Sequence, residues 1–431
     1  MSWIFLGIVL IAFFAAAWRE IGHVPIEGMP SPMEALSSGM LDSASGAVEL
    51  AIGLVGVITL FLGLMKVAEA GGLLVIIARV IRPLMTRLFP EIPPDHPAMG
   101  AMILNMSAGA LGLGNAATPF GIRAMQELDK LNIRPGTATN SMALFLAINT
   151  SSITLLPTTV IAVRAAAGSV DPAAILPTTL FASVCATTFA ILITFFLQRF
   201  FPLGPPDPNA AAMPRPWVED NATSETLPPD SGGYPAWVSM LALGGILALI
   251  PITILWGRTI SPWIIPGLMV GFLVFGALRG VRVYEMFIEG AKDGFQVALR
   301  IIPYLVAILT AVGMFRASGA MDVMVNTLGA FTSQLGLPAE ALPMALLRPL
   351  SGSGAYGVMV SIINDPATGP DTYVGYLVTT LQGSSETTFY VLAVYYGAIQ
   401  IRRMRHTLAA ALMADVVAVI ASVAICSYLF M

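Results

Sequence analysis

The sequence predicts an all-α polytopic membrane protein built from two inverted structural repeats, with re-entrant hairpins and broken transmembrane helices. Three observations predict it: a composition too apolar for a soluble globule, long apolar runs interrupted at matching places in the two halves, and a one-sided distribution of Arg and Lys. Of 431 residues, 56% are hydrophobic and 11% charged, against about a quarter charged in ordinary soluble domains. Mean hydropathy is +0.81. That composition excludes a cytosolic enzyme and a disordered chain, and a formal net charge of -4 argues against nucleic acid as a partner. Cys185 and Cys426 both sit in apolar runs, and the three histidines form no H-E-x-x-H pattern. No disulfide framework, metal site or cofactor is expected.

A crossing helix needs about 20 apolar residues. The runs 3–18, 47–66, 171–200, 235–256, 260–280, 295–316 and 406–430 qualify. The first has no Lys or Arg before Arg19, so it reads as a retained span rather than a secretory signal. Segments 97–130, 136–165, 338–365 and 371–401 are apolar but interrupted by Gly, Ser, Asn, Thr and Pro. Such interruptions are tolerated at membrane depth only where they face protein or a wet cavity. Segments 72–89 and 321–335 are shorter and read as interfacial helices. Residues 202–234 are rich in Pro, Asp, Glu and Ser and read as a flexible linker. It divides the chain into halves at 1–201 and 235–431.

The halves match weakly but in order. Gly63–Ala68 corresponds to Gly313–Ser318, Pro97 to Pro343, Gly109–Gly112 to Gly354–Gly357, and Thr150–Thr154 to Gly383–Thr387. The offset falls from about 250 to about 233, which places some 12 extra residues of the first half near 113–140. Four crossings per repeat return the chain to its starting side, and the extra helix 235–256 then turns the second repeat over, as in many secondary transporters. Lys and Arg mark the cytoplasmic side. On that scheme one side holds Arg79, Arg82, Arg87, Lys130, Arg134, Arg199, Arg215, Arg279, Arg282, Lys292, Arg402, Arg403 and Arg405; the other holds Arg19, Arg164 and Arg258. Thirteen against three places the N-terminus and the linker in the cytoplasm. The acidic loop 364–371 and the C-terminus then lie outside a bacterial inner membrane.

Several runs carry a family likeness. Asn105–Gly121, with Asn149–Ser152 and Pro157-Thr158-Thr159, resembles the spore-maturation protein A family. Arg348–Ala355, Gln382–Val391 and Arg402–Thr407 resemble spore-maturation protein B. The likeness covers nearly the whole chain except the linker, so the chain is similar to an A–B fusion. It implies membership of the Gate, or nucleoside-recognition, superfamily, which includes concentrative nucleoside transporters and the membrane part of ferrous-iron transporters. In spore formers it implies a role in spore-core dehydration.

The candidate site follows from the residues themselves. Breaks with half-helices beginning at Asn149, Thr150, Ser151, Ser152 and at Ser384, Ser385, Glu386, Thr387 would aim positive dipole ends at a midplane pocket. Hairpin tips bearing Asn105, Ser107, Asn115, Thr118, Ser351 and Ser353 would face them. For any one hydroxyl, capping or tightening of helix packing is the competing role. Glu386 is a carboxylate within an apolar segment, costly unless solvated, paired or functional. It is a candidate for a coupling ion or for substrate, with capping and pairing to Arg348 as the structural alternative. Its repeat counterpart is Ile153. Asp415, midway along the last span, is a second ion-coupling candidate, or a partner for a buried cation. Lys66 and Arg316 read as span-end cations that snorkel. Glu49 is a further acid near a span start.

The expected function is secondary transport of a small polar solute, nucleoside-like or anionic, with H+ or Na+ coupling and homo-oligomer formation left open. The alternative is a non-transporting structural protein for envelope or spore maturation. An intramembrane hydrolase fits poorly, since Ser351 stands where a G-x-S-G motif ending at Gly354 needs Gly, and His23, His96 and His406 lie in loops or at a span end. No catalytic residue is assigned. The orientation is testable: single cysteines placed in 202–234 should react with an impermeant thiol reagent only from the cytoplasmic face, and labelling from outside would reverse the topology.

Overall fold

The computed structural model describes residues 2–24, 30–112, 114–205, 234–323, 327 and 332–431. The linker, apart from its ends, and the middle of the segment 321–335 lie outside the described residues. The described part is helical, and its one isolated β-bridge joins Thr137 to Arg403. The first half holds α1 (Ser2–Ile21), α2 (Pro32–Ala70), α3 (Leu73–Leu88), α4 (Pro97–Ala110), α5 (Gly114–Lys130), α6 (Asn140–Thr150), α7 (Thr158–Ala166) and α8 (Leu176–Leu197). The second holds α9 (Ala236–Leu278), α10 (Val283–Ala317), α11 (Leu342–Leu347), α12 (Gly352–Asn364), α13 (Tyr373–Ser384), α14 (Thr388–Ala398) and α15 (Thr407–Phe430).

Local chemistry sets the helix starts. Ser31 accepts the Glu34 N–H at 3.3 Å while Glu34 accepts the Ser31 N–H at 2.8 Å, a capping box with Pro32 at the first helical position of α2. Thr139 and Thr372 cap α6 and α13 in the same way, each accepting a backbone N–H at 3.1 Å. Among the described residues, Pro172–Leu197 and Thr407–Phe430 are long and apolar enough to cross a membrane. The pair Val55–Ala70 and Leu73–Leu88, bent by 68° at Gly71–Gly72, is a third if the two count as one broken span.

One expectation fails. Residues 235–256 and 260–280 are not two spans but the single helix α9. Gly257 costs a helix only about 1 kcal/mol, so this glycine does not by itself end α9. The separate extra crossing that was to turn the second half over is therefore absent. The long helices α2 and α10 run antiparallel. A Cβ on Gly63 would meet Phe287 at 2.8 Å, one on Gly294 would meet the Thr59 Cα at 2.8 Å, and one on Gly39 would meet Ala317 at 2.9 Å. Glycines thus let the two backbones approach closely along several turns.

At the centre, α8 packs on α15, and each of them contacts both α6 and α13. The hydrophobic cores are exchanged between halves. Val160, Ile161 and Val163 of α7 pack with Val358 and Met359 of α12 and Leu377, Val378 and Leu381 of α13. Conversely, Val391, Leu392, Tyr395 and Tyr396 of α14 pack with Met102, Met125, Met142 and Phe145 of the first half. Two polar knots reinforce the exchange. At one end the Ala138 N–H donates to Arg403 at 3.0 Å and Arg405 donates to Asn140 at 2.9 Å. At the other, fully buried Arg164 donates to the Pro370 carbonyl at 2.6 Å and to Asp371 at 3.0 Å, with its guanidinium 4.4 Å over the Tyr376 ring.

Two predictions follow from this packing. Residues 1–205 and 234–431 expressed as separate chains should co-purify as one complex and each unfold alone; two independently folded halves would contradict the exchanged core. Gly294→Ala should destabilise by about 1–3 kcal/mol in detergent unfolding through overpacking. Gly56→Ala, with open space at its Cβ, should be neutral or stabilising by up to about 1 kcal/mol.

Candidate functional site

Both breaks are present. Helix α6 ends at Thr150, the chain is unwound over 151–157, and α7 starts at Thr158; α13 ends at Ser384 and α14 starts at Thr388. The hydroxyl clusters therefore occupy C-terminal ends and unwound backbone, not half-helix N-termini as expected. The reason lies in the caps: Thr139 and Thr372 start each helix so that it runs toward the break. The half-helix N-termini at the breaks belong instead to α7 and α14.

Unwound backbone needs partners, and the hairpin tips supply them. The Leu155 N–H donates to the Ala110 carbonyl at 2.9 Å, and the Phe389 N–H donates to the Pro349 carbonyl at 3.0 Å. Ala110 and Pro349 thus play one role in the two halves, which moves the expected pairing of Gly109–Gly112 with Gly354–Gly357 by several residues. Gly112 sits at φ 74°, and a Cβ there would meet the Leu156 carbonyl oxygen at 2.6 Å. Only glycine satisfies both conditions. The breaks also meet each other: the Glu386 N–H donates to the Thr150 carbonyl at 2.8 Å.

Side chains complete the satisfaction. Thr187 donates to the Ser151 carbonyl in the first break. In the second, buried Arg348 donates to the Ser385 carbonyl and, at 3.1 Å, to Thr387 Oγ1. Arg348 Nη2 also lies 3.9 Å from Glu386 Oε2. Asp415, 7% exposed, accepts from Thr388 Oγ1 at 2.6 Å and so steadies the start of α14.

Between the breaks and the tips lies a cavity of about 1410 Å³. Of the expected site residues, Asn105, Thr118, Asn149, Ser152, Ser353, Glu386 and Thr387 line it. The Glu386 side chain keeps 54% of its exposure there. Ser107, Thr150, Ser151, Ser351, Ser384, Ser385 and Asp415 do not line it. Ser107, Thr150 and Ser151 turn back onto carbonyls three or four residues earlier, at 2.7, 3.0 and 2.8 Å. Ser351 caps α12, accepting the Gly354 N–H at 3.0 Å, and Ser384 reaches the Leu381 carbonyl at 3.4 Å. The side chain of Asn115 lies outside the described residues.

The cavity also has walls that sequence reasoning missed. Tyr395 enters beside Gly121, and its hydroxyl accepts from Asn105 Nδ2 at 3.1 Å. Gln382, Tyr390 and Thr154 line the cavity as well. Gln382 is the one with a signal, since the expected offset of about 233 between the halves sets it against Asn149. Lys66 reaches the wall paired to Glu69 at 3.5 Å and Glu289 at 3.8 Å, and Arg316 pairs with Asp365 at 2.6 Å, so neither cation simply snorkels. Glu49 is exposed, not buried. No group of three His, Cys, Asp or Glu residues suited to a metal occurs among the described residues.

Comparison with known proteins agrees with the earlier likeness. Spore maturation protein B of Bacillus subtilis is 44% identical over 166 residues, 38% of this chain and 92% of that protein. Spore maturation protein A of the same organism is 47% identical over 169 residues, 39% of this chain and 86% of that protein. A crystal structure of the Alcanivorax borkumensis YdaH transporter aligns over 99% of this chain and 97% of that one, at 15% identity and a TM-score of 0.36, a level from which no correspondence of fold follows. The sequence profile of the Gate family, described as nucleoside recognition, matches residues 51–167 and 298–402. These two segments hold both hairpin tips and both breaks, and this membrane protein belongs to the Gate family.

Proposed function

We propose that the chain is a secondary transporter of a small polar solute, bound between two inverted halves at the level of the helix breaks. The observation that carries this reading is the cavity of about 1410 Å³ whose wall contains both breaks and a half-exposed carboxylate, Glu386, within an otherwise apolar helix pair. An ionisable group at that depth is held by function more often than by packing. The antiparallel course of α2 and α10 supports inversion of the halves. Paired broken helices with their sites at a repeat interface recur in secondary transporters. The family's description as nucleoside recognition is compatible with a solute of that size.

Roles divide on geometry. Glu386, reachable from the cavity, is the candidate for a coupling proton or cation and for direct solute contact. Asp415, buried and engaged by Thr388, supports the break and is placed behind the site. Arg348 holds the unwound backbone of 385–387. The N-terminus and linker are assigned to the cytoplasm of a bacterial cell. The names of the two Bacillus subtilis relatives favour one other reading, a structural membrane protein of spore or envelope maturation in which the same cavity is vestigial.

Reconstitution separates the two. In proteoliposomes challenged with a panel of nucleosides, sugars, amino acids and amines, the wild type should accumulate at least one solute. Glu386→Gln should lower that uptake by roughly tenfold or more, a loss of about 1.4 kcal/mol, with little change in thermal unfolding because the carboxylate is half exposed. If no solute moves, and Glu386→Gln leaves the cellular phenotype intact, the transport reading fails.

A further inference from the structure

We infer that the site takes a hydroxylated organic cation, a solute rich in hydrogen-bond donors, and rejects anions. The inference rests on the binding role proposed above for the cavity and adds the chemical class of what fills it.

The committed polar groups on the wall decide the matter. Asn105, 1% exposed, spends its Nδ2 on the Ala117 carbonyl at 2.8 Å and the Tyr395 hydroxyl at 3.1 Å. That fixes the amide orientation and leaves Oδ1 buried without a donor. Asn149 turns its Nδ2 back to the Phe145 carbonyl at 2.9 Å, so its Oδ1 also lacks a donor among the described residues. Glu386 offers a carboxylate whose one salt-bridge contact among the described residues is the 3.9 Å approach of Arg348. The amide oxygen of Gln382, the repeat counterpart of Asn149, is a further buried acceptor without a donor. A buried polar atom left unpaired costs about 1–3 kcal/mol; the acceptors open to a solute's N–H or O–H groups are the Glu386 carboxylate, 54% exposed, and the half-buried Asn149.

The two cations of the wall already have partners of their own. Each terminal nitrogen of Arg348 makes a bond within the second break, and Nη2 also lies 3.9 Å from Glu386, so the charge of Arg348 is directed at the break and at that carboxylate. Lys66 is paired with Glu69 and Glu289. The charged residues of the wall are two cations, Lys66 and Arg348, and three acids, Glu69, Asp293 and Glu386. Hydroxyls such as Ser152 and Thr154, and the amide nitrogen of Gln382, turn to suit either kind of ligand. What discriminates is the carboxylate together with the fixed acceptors, and these favour a positive, donor-bearing solute.

A matched open-chain series tests charge at nearly constant size: N-methylglucamine (cationic at neutral pH), sorbitol (neutral) and gluconate (anionic). Binding to the purified full-length protein in detergent is read by calorimetry and thermal shift. N-methylglucamine should bind at least about tenfold more tightly than sorbitol, and gluconate more weakly than both. Glu386→Gln should bring N-methylglucamine and sorbitol together, while Asn149→Leu should weaken both alike. Gluconate binding best, equal binding of all three, or no binding of any would overturn the inference. Uptake of the same three solutes into proteoliposomes keeps the two proposals apart: the predicted binding order without uptake would sink transport and leave the ligand class standing.

Discussion

Unwound backbone in an apolar interior must find its hydrogen bonds inside the protein. That constraint organises this molecule. Each helix break is served by a hairpin tip, through Leu155 to Ala110 and Phe389 to Pro349, and the breaks are tied together through Glu386 and Thr150. The tips can reach because Gly112 gives the first hairpin a left-handed turn and leaves room for the Leu156 carbonyl. The short helices beyond the breaks then continue into the opposite half, so the requirement that satisfies the backbone also interleaves the two cores. The cavity is the space left where breaks and tips converge.

The two halves meet the same constraint with different chemistry. In the first break a hydroxyl, Thr187, covers the Ser151 carbonyl; in the second, Arg348 covers the Ser385 carbonyl. Glu386 stands where the first break has Ile153. Pro349 shares the role of Ala110, so Arg348 corresponds to Gly109, whose missing side chain leaves open space on the cavity wall. The wall at Gly109 is thus unobstructed, whereas the other carries an arginine committed to backbone and an acid with most of its hydrogen-bonding capacity unspent. Such lopsidedness holds a solute in one orientation.

Much of this was legible in the sequence, for identifiable reasons. Breaks inside apolar segments showed as clusters of hydroxyl, amide and glycine residues, and Glu386 stood out because a carboxylate there is costly. The direction of the half-helices did not show, because it is set by Thr139 and Thr372, which cap helices ten or so residues upstream of the hydroxyl clusters. Nor did the fate of individual hydroxyls: Ser107, Thr150, Ser151 and Ser384 read like Ser152 in composition yet bond to their own helices. Tyr395 escaped notice because an aromatic in an apolar run normally packs in a core, and only the tertiary fold brings it to Asn105, 290 residues away in sequence. The unbroken α9 was misread since Gly257 beside Arg258 resembles a loop, although one glycine costs a helix only about 1 kcal/mol.

The central claim is that water and solute reach the space between the two breaks. Cysteine accessibility in native membranes tests it most directly. Single cysteines at Ser152 and Ser353, which face the cavity, should react with a small impermeant thiol reagent, whereas cysteines at Ser107 and Ser384, both fully buried, should stay silent. Equal silence at all four positions, or reaction at the buried pair alone, would contradict a solute-accessible site between the breaks.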